Sequence, residues 1–133
     1  MTERTTPELI TALSPGQVFV FGSNYAGRHG KGAAKTALKW GAKYGQGEGL
    51  MGRTYGLPTK GHDLRHSLPL ERIAEHVARL LEFAQGRPDL QFMVTEIGCG
   101  LAGYTPKQVA PLFAATVDMP NVSLPASFWR KLR

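Results

Sequence analysis

The sequence predicts an α/β fold with a mainly parallel central sheet, and three observations lead there. Apolar runs of strand character alternate with helical segments, the order that places helices on the faces of a parallel sheet. Two glycine-rich stretches, "GSNYAGRHGKGAA" (Gly22–Ala34) and "TEIGCGLAGYTPKQ" (Thr95–Gln108), each follow directly on such a run. The 133 residues, 42% hydrophobic and 20% charged, suit one domain with a real core. No repeat, low-complexity tract or linker interrupts them, so we expect a single domain over 1–133 with its core over about 17–125.

Each element has a local reason. Pro7–Leu13 reads as a short helix stopped by the turn signal Ser14-Pro15-Gly16. Gln17–Phe21, "QVFVF", is a buried strand of β-branched and aromatic residues. The Ala-rich Gly32–Ala42 is a helix, Tyr44–Gly52 a glycine-rich loop and Arg53–Thr59 a short strand. Leu68–Ala84 is the best helix: Leu70, Ile73, Val77, Leu80, Leu81 and Ala84 share one face, Ser67 stands where a cap is wanted, and Pro69 falls in the first turn. His76 falls on that helix's flank. Leu90–Ile97 is the next strand. Thr105-Pro106-Lys107-Gln108 is a capping box that opens another helix, which Pro111 should kink or shorten. Asn121–Leu124 is the last strand.

Sixteen Lys and Arg against ten Asp and Glu give a net charge of +6, which favours an anionic partner: a nucleotide, a nucleic acid or a phosphorylated metabolite. The basic residues are spread out rather than gathered in a tail, which argues against a dedicated nucleic-acid module. A single cysteine, Cys99, excludes an internal disulfide and a cysteine-rich zinc site. His29, His62, His66 and His76 lack metal-ligand spacing, so we expect no metal, and nothing calls for a cofactor. The start of the chain lacks the apolar core of a signal peptide, and no apolar run approaches the roughly 20 residues of a membrane helix. We expect a cytoplasmic monomer with no membrane partner.

In parallel sheets ligands bind beyond the carboxyl ends of strands. Both glycine loops fall there, and glycine lets main-chain N–H groups approach an anion without side chains intervening. The first loop is not a P-loop: Tyr25 occupies the first glycine position and Gly32 replaces the hydroxyl residue. "GKGAAK" (Gly30–Lys35) begins like a dinucleotide fingerprint, but Lys35 stands where the third glycine belongs. A helix start among glycines still attracts phosphate, and a plain turn would use the same residues. Cys99 with His62 or His66 forms one candidate nucleophile pair; a small residue packed under the loop is the better reading. Lys60 ends the strand "YGLPTK", where an amine would meet phosphate or act as base or nucleophile, unless it is an ordinary solvated lysine.

Taken together, "VFVFGSN", "HGKGAA", "LPTK" and "IGCGLAGY", in that order between Val18 and Phe113, resemble the macrodomain superfamily. The likeness is to its terminal ADP-ribose glycohydrolase branch, which includes antitoxins acting on ADP-ribosylated DNA, and to small phage and bacterial proteins sharing these motifs. The resemblance implies a three-layer α/β/α fold with a mainly parallel central sheet. It places the family's catalytic lysine on Lys60, with the neighbouring Thr59 in the site. Ser23, Asn24, Gly30, Lys31, Gly32 and Ala33 match the loop that wraps the distal ribose and diphosphate. Ile97, Gly98, Cys99, Gly100, Leu101, Ala102, Gly103 and Tyr104 match the second phosphate loop, with the amides of Cys99, Gly100 and Leu101 facing the diphosphate. Two positions depart from the family: Ala102 stands where one branch has a catalytic aspartate, and the N-terminal segment lacks the Gly-Asp ending that recognises adenine. His62 or Asp63 is a candidate for proton transfer in place of that aspartate.

The expected function is binding ADP-ribose-type ligands and hydrolysing an ADP-ribosyl linkage on protein or DNA through Lys60. A non-catalytic ADP-ribose or nucleotide reader is the alternative. A third reading is a basic phage protein that binds nucleic acid through Arg28, Lys31, Lys35, Lys39 and Lys43, although a solvated helix face would carry the same charges.

Overall fold

A computed structural model describes residues 4–133; residues 1–3, which the single-domain reading includes, lie outside the described residues. The chain is a mixed α/β protein, with six strands among the described residues in the order β1-β6-β5-β2-β4-β3. They are β1 (Thr5–Thr6), β2 (Gln17–Asn24), β3 (Gly49–Met51), β4 (Thr54–Lys60), β5 (Gln91–Val94) and β6 (Val122–Pro125). All neighbours pair in parallel except β3, which runs antiparallel to β4. Four α-helices accompany them: α1 (Gly32–Ala37), α2 (Leu70–Gln85), α3 (Pro106–Val109) and α4 (Ala126–Leu132).

Alternation along β2 divides the core. Val18 and Val20 join one cluster with Ile73, Val77, Leu80 and Ala84 of α2, Val109 of α3, and Phe128 and Trp129 of α4. Phe19 and Phe21 join a second with Ala34 and Ala37 of α1. Successive strand residues point to opposite faces, so α1 covers one face and α2 the other. The topology agrees. The α1 connection carries the chain from β2 to β4 on one side, and the α2 connection returns it past β2 to β5 on the other. Two crossovers of the same hand in opposite directions must use opposite faces.

Several elements differ from expectation for physical reasons. Pro7–Leu13 is not helical. Ile10 and Leu13 instead pack on the second cluster, Leu9 stays 79% exposed, and the Arg53 guanidinium donates to the Leu13 and Ser14 carbonyls at 2.9 and 2.8 Å. The Gly32–Ala42 helix is shorter: α1 passes at Leu38–Trp40 into a 3-10 turn that ends on Gly41. The Tyr44–Gly52 loop contains β3. On α2, Pro69 is the N-cap and Ser67 does not cap, because its hydroxyl donates to the Ala102 carbonyl at 2.5 Å. The Thr105–Gln108 capping box forms, and Pro111 has the expected effect: α3 lasts four residues and continues as a 3-10 helix with non-helical angles at Phe113. His76 is buried rather than on the flank. No helix among the described residues is long and apolar enough to cross a membrane.

Candidate functional site

The central strand β2 lies between β4 and β5, so the loops leaving the carboxyl ends of these three strands meet. This is also where the chain's direction across the sheet reverses, the usual place for a ligand crevice in such sheets. Near the end of β4 the register with β2 slips: Ser23 faces Pro58, but Asn24 faces Lys60, leaving Thr59 as the extra residue. Pro58 has no N–H to give the ladder, and bulges re-aim the side chains that follow. Thr59 is buried, with its hydroxyl donating to the Ser23 carbonyl at 3.3 Å, while Lys60 is half-buried at the mouth.

The first loop is closed by its own polar groups. The Asn24 side chain donates to the Arg28 carbonyl at 2.8 Å and accepts from the Arg28 N–H at 2.9 Å. The Ser23 hydroxyl donates to the Gly47 carbonyl. His29 is fully buried, and its Nε2–H serves the carbonyls of Lys43 and Gln46 at 2.7 and 3.1 Å, which fixes the proton on that nitrogen. The Lys43–Glu48 segment is thereby drawn against residues 24–29. A Cβ on Gly47 would collide with the Asn24 carbonyl, and one on Gly27 with the backbone of Gly45 and Gln46. These glycines serve close packing of two backbones rather than a ligand. Beyond them, α1 begins. Its first bond runs from the Lys35 N–H to the Lys31 carbonyl at 3.2 Å, so the N–H groups of Gly32, Ala33 and Ala34 have no partner in the helix.

The second loop is a tight double turn. The Cys99 N–H donates to the Glu96 carbonyl at 3.1 Å, Gly103 to Gly100 at 3.0 Å, and Tyr104 to Gly98 at 2.8 Å. Gly98 and Gly103 take left-handed φ of 76° and 85°, which a side chain would strain. The Cys99 amide is therefore committed, contrary to expectation. The N–H groups of Gly98, Gly100, Leu101 and Ala102 make no hydrogen bond among the described residues. The loop is tied to the segment before α2 by Ser67 on Ala102 and by the Tyr104 hydroxyl, which donates to the Leu68 carbonyl at 2.5 Å.

Between the two loops lies a cleft of about 580 Å³, within the range that holds a small-molecule ligand. Arg28, Lys31 and Lys60 line it with positive charge, and Glu96 is its single carboxylate. The Lys60 amine donates to the Leu64 carbonyl at 3.4 Å. Asp63 lies outside the lining residues and accepts from the His66 ring and from the His66 and Arg65 N–H groups, which hold its carboxyl well below the usual carboxylate range. Outside the lining and engaged by these donors, Asp63 is not placed to transfer a proton in the cleft. His62 leans on the Tyr25 ring, with centroids 5.4 Å apart, and does not line the cleft. Cys99 is half-buried; burial, then the Glu96 charge, pushes its thiol up to about 11. It is a thiol at neutral pH, and a nucleophilic thiolate is not available.

Of the residues singled out from the sequence, Ser23, Asn24, Gly30, Lys31, Gly32, Ala33, Thr59, Lys60, Gly98, Gly100, Leu101 and Ala102 line this cleft. Ile97 does not; it is core. Cys99, Gly103 and Tyr104 shape the second loop from behind the lining. The cleft adds Gly22, Ala34, Tyr44, Leu64, Thr95 and Glu96, and Arg28, which the sequence offers only for a nucleic-acid face. Thr95 and Glu96 directly precede the second loop and were within reach of the same reasoning. Tyr44 and Leu64 carry no local signal. Among the described residues no group of three His, Cys, Asp or Glu is placed to hold a metal ion.

No family model, curated protein or solved structure matches the chain.

Proposed function

We propose that the chain is a macrodomain-like protein that binds ADP-ribose-type ligands in this cleft and hydrolyses an ADP-ribosyl glycosidic bond. One observation carries the reading: two loops with uncommitted N–H groups, at Gly32–Ala34 and at Gly98, Gly100, Leu101 and Ala102, line one cationic cleft with the Lys60 amine at its mouth. Backbone amides on facing loops suit a diphosphate, and a lysine between them suits the sugar carbon attached to it. The two core clusters on opposite faces of the sheet support the three-layer α/β/α arrangement that accompanies this reading. In the mechanism Lys60 is the nucleophile or the positioned cation, and the loops hold the diphosphate.

A non-catalytic reader is the second reading, and Ala102 favours it. It lines the cleft where one branch of the resembled family carries an aspartate, and neither Asp63 nor Cys99 supplies the missing chemistry. The deciding experiment is calorimetry with ADP-ribose, NAD, ATP and short single-stranded DNA, followed by a release assay on ADP-ribosylated protein and DNA. Binding of ADP-ribose with release supports the hydrolase, and binding without release the reader. No heat with millimolar ADP-ribose removes both.

A further inference from the structure

Leu64 has a φ of 65° and is the single non-glycine residue with positive φ among the described residues. A γ-branched side chain is disfavoured in that conformation, which Gly or Asn adopts readily, and such strain collects at functional sites. The surrounding loop enforces it. Leu64 donates its N–H to the Gly61 carbonyl at 3.2 Å, Gly61 donates to His66 at 3.0 Å, and Asp63 accepts from the N–H groups of Arg65 and His66. Lys60 and Ser67 close the loop as a bridge pair.

The strained side chain does not fill the core. Leu64 belongs to neither cluster and is 38% exposed, yet it lines the cleft. It is not alone. Of the six large apolar residues exposed among those described, Tyr44, Leu64 and Leu101 all line this one cleft. Scattered apolar residues need no explanation, but three gathered on the rim of a concave site do. Leu64 is set apart from the other two by its carbonyl, which holds the Lys60 amine.

Resting on the proposed function, we infer that Leu64 determines specificity for the group beyond the scissile bond, favouring a flat apolar aglycone at the anomeric carbon. With the sugar carbon at the Lys60 amine, Leu64 is the exposed apolar residue in contact with that amine, and so the one we assign to the group attached there. Any group that covers Leu64 displaces its water, but a polar one loses hydration of its own in doing so, whereas an apolar one gains in proportion to the area covered.

The test uses three probes: ADP-ribose, and two carbon-linked analogues carrying methyl or phenyl at the anomeric carbon, neither of which hydrolyses. The parent should bind the phenyl compound about tenfold more tightly than the methyl compound. In Leu64→Asn and Leu64→Gly the ratio of phenyl to methyl affinity, read within each variant, should shrink to within about twofold. Both variants tolerate the left-handed backbone, and at least Leu64→Asn should melt no lower than the parent. A parent without the preference, or a preference that survives both substitutions, overturns the inference and leaves the proposed function standing. A parent that binds none of the three probes overturns both.

Discussion

At the residue scale, the glycines of this chain separate into two kinds, and substitution distinguishes them. Gly47 faces backbone: any Cβ there meets the Asn24 carbonyl, so Gly47→Ala should destabilise the fold by about 3 kcal/mol, read from denaturant midpoints. Gly100 faces open space and has no left-handed φ. Gly100→Val should change stability by less than about 0.5 kcal/mol, yet place a side chain where the uncommitted amides line the cleft and abolish ADP-ribose binding. Unchanged affinity would make this loop a mere turn. Gly32 is the poorer probe, since its φ of 57° adds strain to whatever the side chain blocks. Lys60→Ala removes the amine and no loop amide. It should hold ADP-ribose affinity within about tenfold, roughly 1.4 kcal/mol, and eliminate release from modified protein or DNA. Cys99→Ala should leave turnover nearly intact, because the thiol is protonated and tucked against the Ile97 carbonyl at 3.5 Å. Equal turnover by Lys60→Ala and parent refutes the lysine mechanism.

At the element scale, α2 carries a polar contact that amphipathic periodicity hides. His76 is 2% exposed, bonded through Nε2 to the Tyr25 hydroxyl at 2.7 Å and through Nδ1 to Glu48 at 2.7 Å, with Arg79 also on Glu48 at 3.0 Å. This cluster fastens α2 to the first glycine stretch through Tyr25 and to the loop before β3 through Glu48. Burial pushes the Glu48 carboxyl up, but the hydrogen bonds from Arg79 and His76, with their charge, outweigh it and the net shift is downward. A native pKa below the unfolded one gives stability that is complete above about pH 4.3 and disappears as pH falls through the native value. Denaturant midpoints across pH 3–7 should therefore fall less steeply below about pH 4.3 in Glu48→Gln than in the parent; parallel curves would mean the cluster does not favour the ionised form. The strands of hydrophobic β-branched residues, the long helix and the capping box were legible because each is specified within its own segment. The two-residue β1, the three-residue β3 and the seven-residue α4 were not. Thr5–Thr6 is a strand through pairing with Leu124 and Pro125, more than a hundred positions away, and Gly49–Met51 through its hairpin with β4. Glu48 and His76 meet only once α2 has docked, which is why His76 looked like a flank residue.

At the scale of the whole molecule, the sheet order makes one site out of three distant segments, and it also decides how the net charge of +6 is to be understood. Glycine gave the two loops away in the sequence, while Tyr44 and Leu64 become neighbours of the second loop only because β2 lies between β4 and β5. Of the five basic residues considered as a nucleic-acid face, Arg28 and Lys31 line the cleft. Lys35, Lys39 and Lys43 do not; Lys39 rests 5.4 Å from the Trp40 ring. The helix meant to align these charges is six residues long, too short to present them as one stripe. A discrete ligand in the cleft and a polyanion along the surface predict opposite salt behaviour. Duplex binding should weaken with a log–log slope near −0.9 per neutralised phosphate, and single strands near −0.7. A diphosphate held by a few amides and cations releases far fewer counterions. ADP-ribose at one hundred times its dissociation constant should add about 2.7 kcal/mol to the native state, a rise of roughly 10 °C in melting temperature for a domain of this size. That rise should persist when salt increases from 50 to 200 mM, whereas any DNA binding should be weak at physiological salt and collapse over the same interval. Thermal shift and calorimetry at both salt concentrations, with the parent and a Lys35→Ala/Lys39→Ala double variant, make the comparison. Submicromolar DNA affinity at physiological salt that is lost in the double variant would move the functional surface from the cleft to the outer face of α1.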